Sequence, residues 1–138
     1  MLFCMHPKSL TLLDIDMNYY LPLTIYFLTG LIFITLIDTI GAFASRKLNF
    51  KYVYLSVVSF IVYVGIGYLI SKQYGVTLAL ITNAILGFYD STVGMRLSII
   101  VKANSNDVTG IEGNPKMIIG IITTAISFGL VGYFLSGV

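Results

Sequence analysis

Residues 21–44 read LPLTIYFLTGLIFITLIDTIGAFA and contain one charged residue, Asp38. An apolar run of about 20 residues is long enough to cross the hydrocarbon core of a bilayer as a helix. Similar runs occur at residues 52–70, 76–101 and 117–135. Helices are favoured over strands because a backbone in lipid must satisfy its own hydrogen bonds. The sequence therefore predicts an all-α integral membrane four-helix bundle in residues 21–138, preceded by an extracytoplasmic tail, residues 1–20.

The overall composition agrees with a protein that faces lipid. The chain has 138 residues, of which 57% are hydrophobic and 10% are charged, whereas soluble domains have about 25% charged residues. So few charged residues cannot cover the surface of a soluble protein. The lipid bilayer is therefore the first expected partner. The net charge of +2 and the lack of a basic stripe argue against nucleic-acid binding.

No cofactor or metal is expected from the sequence. The single cysteine, Cys4, excludes an intramolecular disulfide and a cysteine-rich zinc site. His6 lies near it in the tail, but a metal site needs more ligands at fixed spacing.

The distribution of lysine and arginine predicts the orientation in the membrane. Lys8 and Lys72 would lie on one side, and the other six cations on the opposite side: Arg46, Lys47, Lys51, Arg96, Lys102 and Lys116. Positively charged loops remain cytoplasmic. We therefore expect a multi-pass protein of the plasma (inner) membrane with both termini extracytoplasmic and loops 45–51 and 102–116 cytoplasmic. Tyr52 and Tyr54 are expected in an aromatic belt on the cytoplasmic side.

Two short patterns occur twice, in the same order. DTIGAFAS at residues 38–45 matches DSTVGMRLS at residues 90–98 with one gap, and GYLIS at residues 67–71 matches GYFLS at residues 132–136. The pattern indicates two tandem helical hairpins, roughly 21–71 and 76–136. Each hairpin crosses the membrane twice, so the pseudo-two-fold axis relating them would run along the membrane normal.

Asp38 and Asp90 are the residues most able to carry chemistry. A carboxylate inside an apolar span costs a few kcal/mol, so each should face protein or water. Desolvation favours the protonated form, and two close carboxyls could share one proton or hold one cation. The other interpretation is structural, in which each carboxyl bonds hydroxyl or backbone groups and locks the hairpins together.

Small and polar residues recur at helical spacing around both acids. Asn83, Gly87, Gly94 and Ser98 form one stripe with Asp90, and Thr35, Gly41 and Ser45 lie near Asp38 along the first helix. Small residues allow close helix packing, and hydroxyls can satisfy a carboxyl. We therefore expect a polar core of Asp38, Asp90, Asn83, Ser45 and Ser98.

Arg96 has two interpretations. It is six residues beyond Asp90, too far around the helix to pair with that acid. It either extends to the cytoplasmic headgroups or reaches Asp38 on the neighbouring helix, where an ion pair would hold that carboxyl in its charged form.

Three classes of function remain open. The first is a small proton- or cation-linked transporter or channel subunit that uses the paired carboxyls and acts as a homo-oligomer. The second is a non-catalytic anchor or assembly subunit that binds a membrane partner protein, with the polar loop 103–115 for docking. The third, a membrane-embedded lipid enzyme, has only Asp38, Asp90 and Arg96 as candidate groups, so no enzymatic activity is expected.

Overall fold

The computed structural model describes residues 12–101 and 114–137, and all of the regular structure in these ranges is helical. Helix α1 spans Leu12–Leu48, a 3-10 turn spans Tyr52–Leu55, and α2 spans Ser56–Tyr74. The third crossing consists of α3, Val76–Tyr89, a π-helical segment, Asp90–Gly94, and α4, Met95–Ile100. Helix α5 spans Pro115–Ser136.

Four of the described segments are long and apolar enough to cross a membrane: Asn18–Leu48, Ser56–Tyr74, Val76–Ile100 and Pro115–Ser136. This confirms the predicted number of spans. Neighbouring spans in sequence run antiparallel, so the bundle has two ends. We call the end with residues 48–55, Ile100 and Pro115 the loop end, and the end with Asn18, Gly75 and Ser136 the terminal end.

The first helix begins earlier than predicted. Its start at Leu12, not residue 21, makes it 37 residues long, or about 55 Å at 1.5 Å per residue. Part of the predicted tail is therefore helical. Pro22 lies inside the helix, where the ring removes one backbone hydrogen bond.

The other boundaries depend on local caps. Gly75 ends α2 with φ 85°, a conformation that glycine adopts without steric cost. Asn114 caps α5, with its side-chain oxygen accepting from the Lys116 backbone N–H at 3.0 Å, and Pro115 follows in the first turn. Cys4, His6, Lys8, Lys102 and most of loop 103–115 lie outside the described residues.

The spans are arranged around the central pair formed by α2 and the third crossing. Helix α5 packs against α2 and α3, and α1 packs on α2 and the third crossing, without contact between α1 and α5 in the described ranges. At the terminal end the Tyr74 hydroxyl donates to the Tyr19 carbonyl at 2.8 Å, and Gln73 donates to the Tyr26 hydroxyl. The buried core comprises Ile34, Tyr63, Ile66, Ile70, Ala79, Leu86 and Ala125.

Candidate functional site

Asp38 and Asp90 meet in the interior of the bundle. Asp38 comes from α1 and is 3% exposed, and Asp90 opens the π-helical segment of the third crossing and is partly buried. The two carboxyl groups lie within hydrogen-bonding reach of each other. The packing of α1 on the third crossing thus brings together two acids that are 52 residues apart in sequence.

The contact depends on Gly94, at the end of the π-helical segment. A Cβ atom on this residue would overlap Asp38 Oδ2 and lie 2.9 Å from Asp90 Oδ1. The backbone of Gly94 therefore borders both carboxyls, and a larger residue would displace them. π-Helical turns are rare and frequently occur at functional sites. Here the π turn places Asp90 and Gly94 together beside Asp38.

Two tyrosines each donate a hydrogen bond to one oxygen of the carboxyl pair. We call these two oxygens, Asp38 Oδ1 and Asp90 Oδ2, the outer oxygens. The Tyr52 hydroxyl donates to Asp38 Oδ1 at 2.7 Å, and the Tyr63 hydroxyl donates to Asp90 Oδ2 at 2.5 Å. Tyr63 is 1% exposed and belongs to the core. Burial, followed by the nearby Asp38 charge, raises the pKa of the Tyr52 phenol above its ordinary value. Tyr52 therefore remains a hydrogen-bond donor at neutral pH.

Sequence reasoning did not assign these tyrosines to the site. Tyr52 was expected in the aromatic belt, and its hydroxyl instead turns inward to Asp38. Tyr63 had a usable signal, since it lies near the middle of an apolar run, and a buried phenol needs a hydrogen-bond partner. In the observed hydrogen bonds, the donors to the two carboxyls are the phenols of Tyr52 and Tyr63. They are not the serine and threonine hydroxyls that the sequence predicted.

One oxygen of the pair has no donor. Asp38 Oδ2 is buried and makes no hydrogen bond within the described part of the chain. A buried acceptor without a partner costs about 1–3 kcal/mol, and more when charged. The two carboxyls can hydrogen-bond to each other only when one of them is protonated and donates to the other. The geometry thus suits a pair that carries a proton or another small cation between its oxygens.

The predicted hydroxyls bond mainly to the backbone. Ser45 is fully buried and donates to the Ala42 carbonyl at 2.9 Å. Ser98 is 5% exposed, donates to the Met95 carbonyl and lies beside the Tyr52 hydroxyl. Thr35 donates to Leu31, so its 3.0 Å contact with the Tyr89 hydroxyl has tyrosine as the donor.

Asn83 occupies a second, separate polar position. It is fully buried, and its amide nitrogen donates to the Ala79 carbonyl at 3.1 Å. Its Oδ1 has no hydrogen-bond partner among the described groups. Gly129 of α5 packs against the amide. Asn83 lies two helical turns, about 10 Å, from Asp90, nearer the terminal end.

Arg96 does not join the carboxyl pair. Its side chain is exposed, and no ion pair with Asp38 forms in the described structure. An exposed position one turn from Ile100 suits extension toward headgroups. No group of three or more histidine, cysteine, aspartate or glutamate residues that could hold a metal ion occurs in the ranges 12–101 and 114–137.

An apolar layer separates the pair from the terminal end. Ile34 lies one turn before Asp38, and Leu86 lies one turn before Asp90; both are fully buried. Ile66 of α2 packs with Leu86 against Gly30. On the opposite side, toward the loop end, lie the partly exposed Tyr52 and the buried Ser98. The polar cluster therefore connects more directly with the loop end.

Four helices of membrane-spanning length around a pair of touching carboxyls are the features of a polytopic membrane protein with an ionisable centre. No protein-family model, curated protein or solved structure matches the chain.

Proposed function

We propose that the protein is a small proton- or cation-linked transporter or channel subunit that uses Asp38 and Asp90 to handle the ion. The observation that supports this most is the contact between two carboxyls from separate spans, one of which has an oxygen without a donor. Ionisable residues inside a membrane are costly and commonly mark ion pathways. A carboxyl needed only for packing could have been fully satisfied.

The proposed path opens toward the loop end. Ser98, Tyr52, Asp38, Asp90 and Tyr63 form a continuous series of neighbouring polar groups from α4 to the middle of α2. Transfer to the terminal end requires passage through the layer of Ile34, Ile66 and Leu86. Opening of that layer is the conformational step that this proposal implies.

Charge supports a cytoplasmic loop end, in a plasma (inner) membrane with both termini outside. Lys72 is the exposed cation near the terminal end of the described spans. The loop end holds five exposed cations: Arg46, Lys47, Lys51, Arg96 and Lys116. The excess of positive charge favours the cytoplasmic side for that end.

Two contacts support the proposed internal repeat. Asp38 touches Asp90 and Gly67 touches Gly132, so two pairs of matched repeat positions meet each other, as residues near a two-fold axis do. The one-residue gap between the repeats falls in the π-helical segment Asp90–Gly94, and a π turn accommodates one extra residue in a helix. The absence of a contact between α1 and α5 is a departure from this symmetry in the described structure.

The second candidate is an assembly or anchor subunit in which the carboxyl pair ties α1 to the third crossing. The hydrogen bonds from Tyr52 and Tyr63 favour it, because together with the Asp38–Asp90 contact they connect α1, α2 and the third crossing through side chains alone. In either role the large exposed apolar side chains, such as Ile32, Phe33 and Ile61, suit contact with lipid, a second copy or a partner protein.

Flux in proteoliposomes distinguishes the two candidates. Wild type should carry proton or cation flux down an imposed gradient, and Asp38→Asn and Asp90→Asn should abolish it while remaining folded. Asp16→Asn is the matched control, because it removes an acid outside the apolar span Asn18–Leu48. Wild-type flux no higher than in empty liposomes, with variants that are only less stable, would favour the assembly subunit.

A further inference from the structure

The ion that the carboxyl pair takes can be inferred from the oxygens that remain open. Tyr52 occupies Asp38 Oδ1, and Tyr63 occupies Asp90 Oδ2. The remaining oxygens, Asp38 Oδ2 and Asp90 Oδ1, both border Gly94. Two carboxylate oxygens and the backbone of Gly94 therefore border a position at which an ion can contact both acids.

This arrangement offers too few ligands for a metal cation. Hard cations such as Ca²⁺ and Mg²⁺ take six or more oxygens, usually from several carboxylates, carbonyls or waters. The described residues place no third acid, cysteine or histidine at the pair. The two phenols direct their hydrogens at the carboxylates, and a cation there would oppose those hydrogens.

A proton needs only the two oxygens that are present. Two adjacent carboxylates resist double ionisation, and one proton can be shared between them. A proton held between Asp90 Oδ1 and Asp38 Oδ2 supplies the hydrogen bond that Asp38 Oδ2 lacks. The same proton resolves the buried unsatisfied acceptor without any additional ligand.

We propose, on the basis of the ion-handling function above, that the substrate of this site is a proton and not a metal cation, and that Asp38 and Asp90 share it. Loading takes one proton from water and makes the charge of the pair more positive by one unit, and release returns the proton to water. Tyr52 and Tyr63 contribute to the selectivity, because each directs its O–H hydrogen at a carboxyl oxygen that a cation would otherwise contact. Tyr52 also lies on the side from which the proton arrives, next to Ser98.

The protonation state can be tested without any transport. Infrared spectra of the wild type in lipid nanodiscs at neutral pH should show the C=O stretch of one protonated carboxyl, shifted in D₂O. The double variant Asp38→Asn/Asp90→Asn should lack that band. Subtracting its spectrum from that of the wild type removes the absorption of the four other acids of the chain. Addition of Na⁺ or K⁺ at high concentration should leave the band unchanged. A missing band, or a band that either cation removes, would overturn the proposal.

Flux with separate gradients tests selectivity. Wild type should respond to a pH gradient and not to a Na⁺ or K⁺ gradient. Tyr63→Phe exposes Asp90 Oδ2 and should permit Na⁺ to compete with proton flux, whereas Tyr54→Phe, at a side chain that is 65% exposed, should behave as wild type. Na⁺ or K⁺ flux in wild type that requires both acids would overturn the proposal that the substrate is a proton, but would support the transporter or channel function. A shared-proton band without any flux would support the shared proton and overturn the transporter or channel function.

Discussion

The two halves of the bundle are joined by different interactions. In the half nearer the loop end, α1 and the third crossing meet through side-chain polar groups, the Asp38–Asp90 pair and its tyrosines. Toward the terminal end, α2 and α5 meet through backbone: a Cβ on Gly67 would lie 2.6 Å from the Gly129 carbonyl oxygen. The glycine contact packs without polar side chains, whereas the carboxyl contact leaves Asp38 Oδ2 unsatisfied.

The glycine contact serves stability, whereas the carboxyl contact points to function. Close glycine packing lets helices approach and gain van der Waals contact, which is sufficient to explain the α2–α5 interface. A buried carboxyl pair is a poor way to gain stability, and its retention in an otherwise apolar bundle is what the ion-handling proposal explains. Substitutions at the glycines should therefore change folding, and substitutions at the carboxyl pair should mainly change the ion chemistry.

Gly132→Ala should have the largest effect on folding. Its Cβ would overlap the Val64 carbonyl oxygen and lie 2.6 Å from the Tyr68 nitrogen, and backbone cannot move aside as a flexible side chain can. We expect a loss of about 3 kcal/mol in the free energy of unfolding, at the upper end of overpacking costs. Unfolding in mixed micelles by SDS titration measures it.

Gly120→Ala is the matched control on the same helix, because no atom lies within 4 Å of a Cβ there. It should be neutral or stabilise by up to about 1 kcal/mol through helix propensity. Equal stability of the two alanine variants would show that the glycine packing described for α2 and α5 is wrong.

Tyr63→Phe should have the next largest effect. It removes the donor to Asp90 Oδ2 and leaves a buried carboxyl oxygen unsatisfied, so we expect a loss of about 2 kcal/mol. The same SDS titration applies, with Tyr54→Phe as the control. A loss under a few tenths of a kcal/mol would mean that the phenol does not hold the pair.

Gly94→Ala should show that an added methyl group costs less stability at the carboxyl pair than at the α2–α5 glycine contact. Its Cβ would meet a movable carboxyl, not backbone, so the loss in unfolding free energy should be about 1 kcal/mol, at the lower end of overpacking costs. The protonated-carboxyl band should nevertheless shift in frequency, and any flux should be lost, because the two acids are pushed apart and no longer share the proton. Gly65→Ala, with open space around its Cβ, should preserve both. A band at the wild-type frequency in Gly94→Ala would contradict the described geometry.

Asn83→Leu should have the smallest effect. The change removes one donor bond to Ala79 and one buried oxygen without a partner, and these contributions of about 1 kcal/mol each oppose one another. We expect stability within about 1 kcal/mol of wild type in the SDS titration. A loss above about 2 kcal/mol would show that the Asn83 oxygen has a partner in the membrane, such as a bound water.

Some features of this protein followed from the sequence because they depend on local properties of the chain. Four apolar runs with at most two charged residues each are long enough to span a membrane, and this was visible in the sequence. The depth of Asp38 and Asp90 in their runs also predicted that both would face the interior. The start of α1 at Leu12 was missed, because polar Asp14 and Asp16 do not extend an apolar pattern but are compatible with the first turns of a helix.

Only the tertiary structure decided which side chains complete the site. Tyr52 and Tyr63 resemble belt and core tyrosines in the sequence, and their roles depend on the π turn and on the packing of α1 against the third crossing. Asn83 shares a helical stripe with Asp90, yet its surroundings are set by Gly129 on another helix. Hydropathy fixes the depth of a residue along the membrane normal, but the rotation and neighbours of each helix depend on contacts between distant parts of the chain.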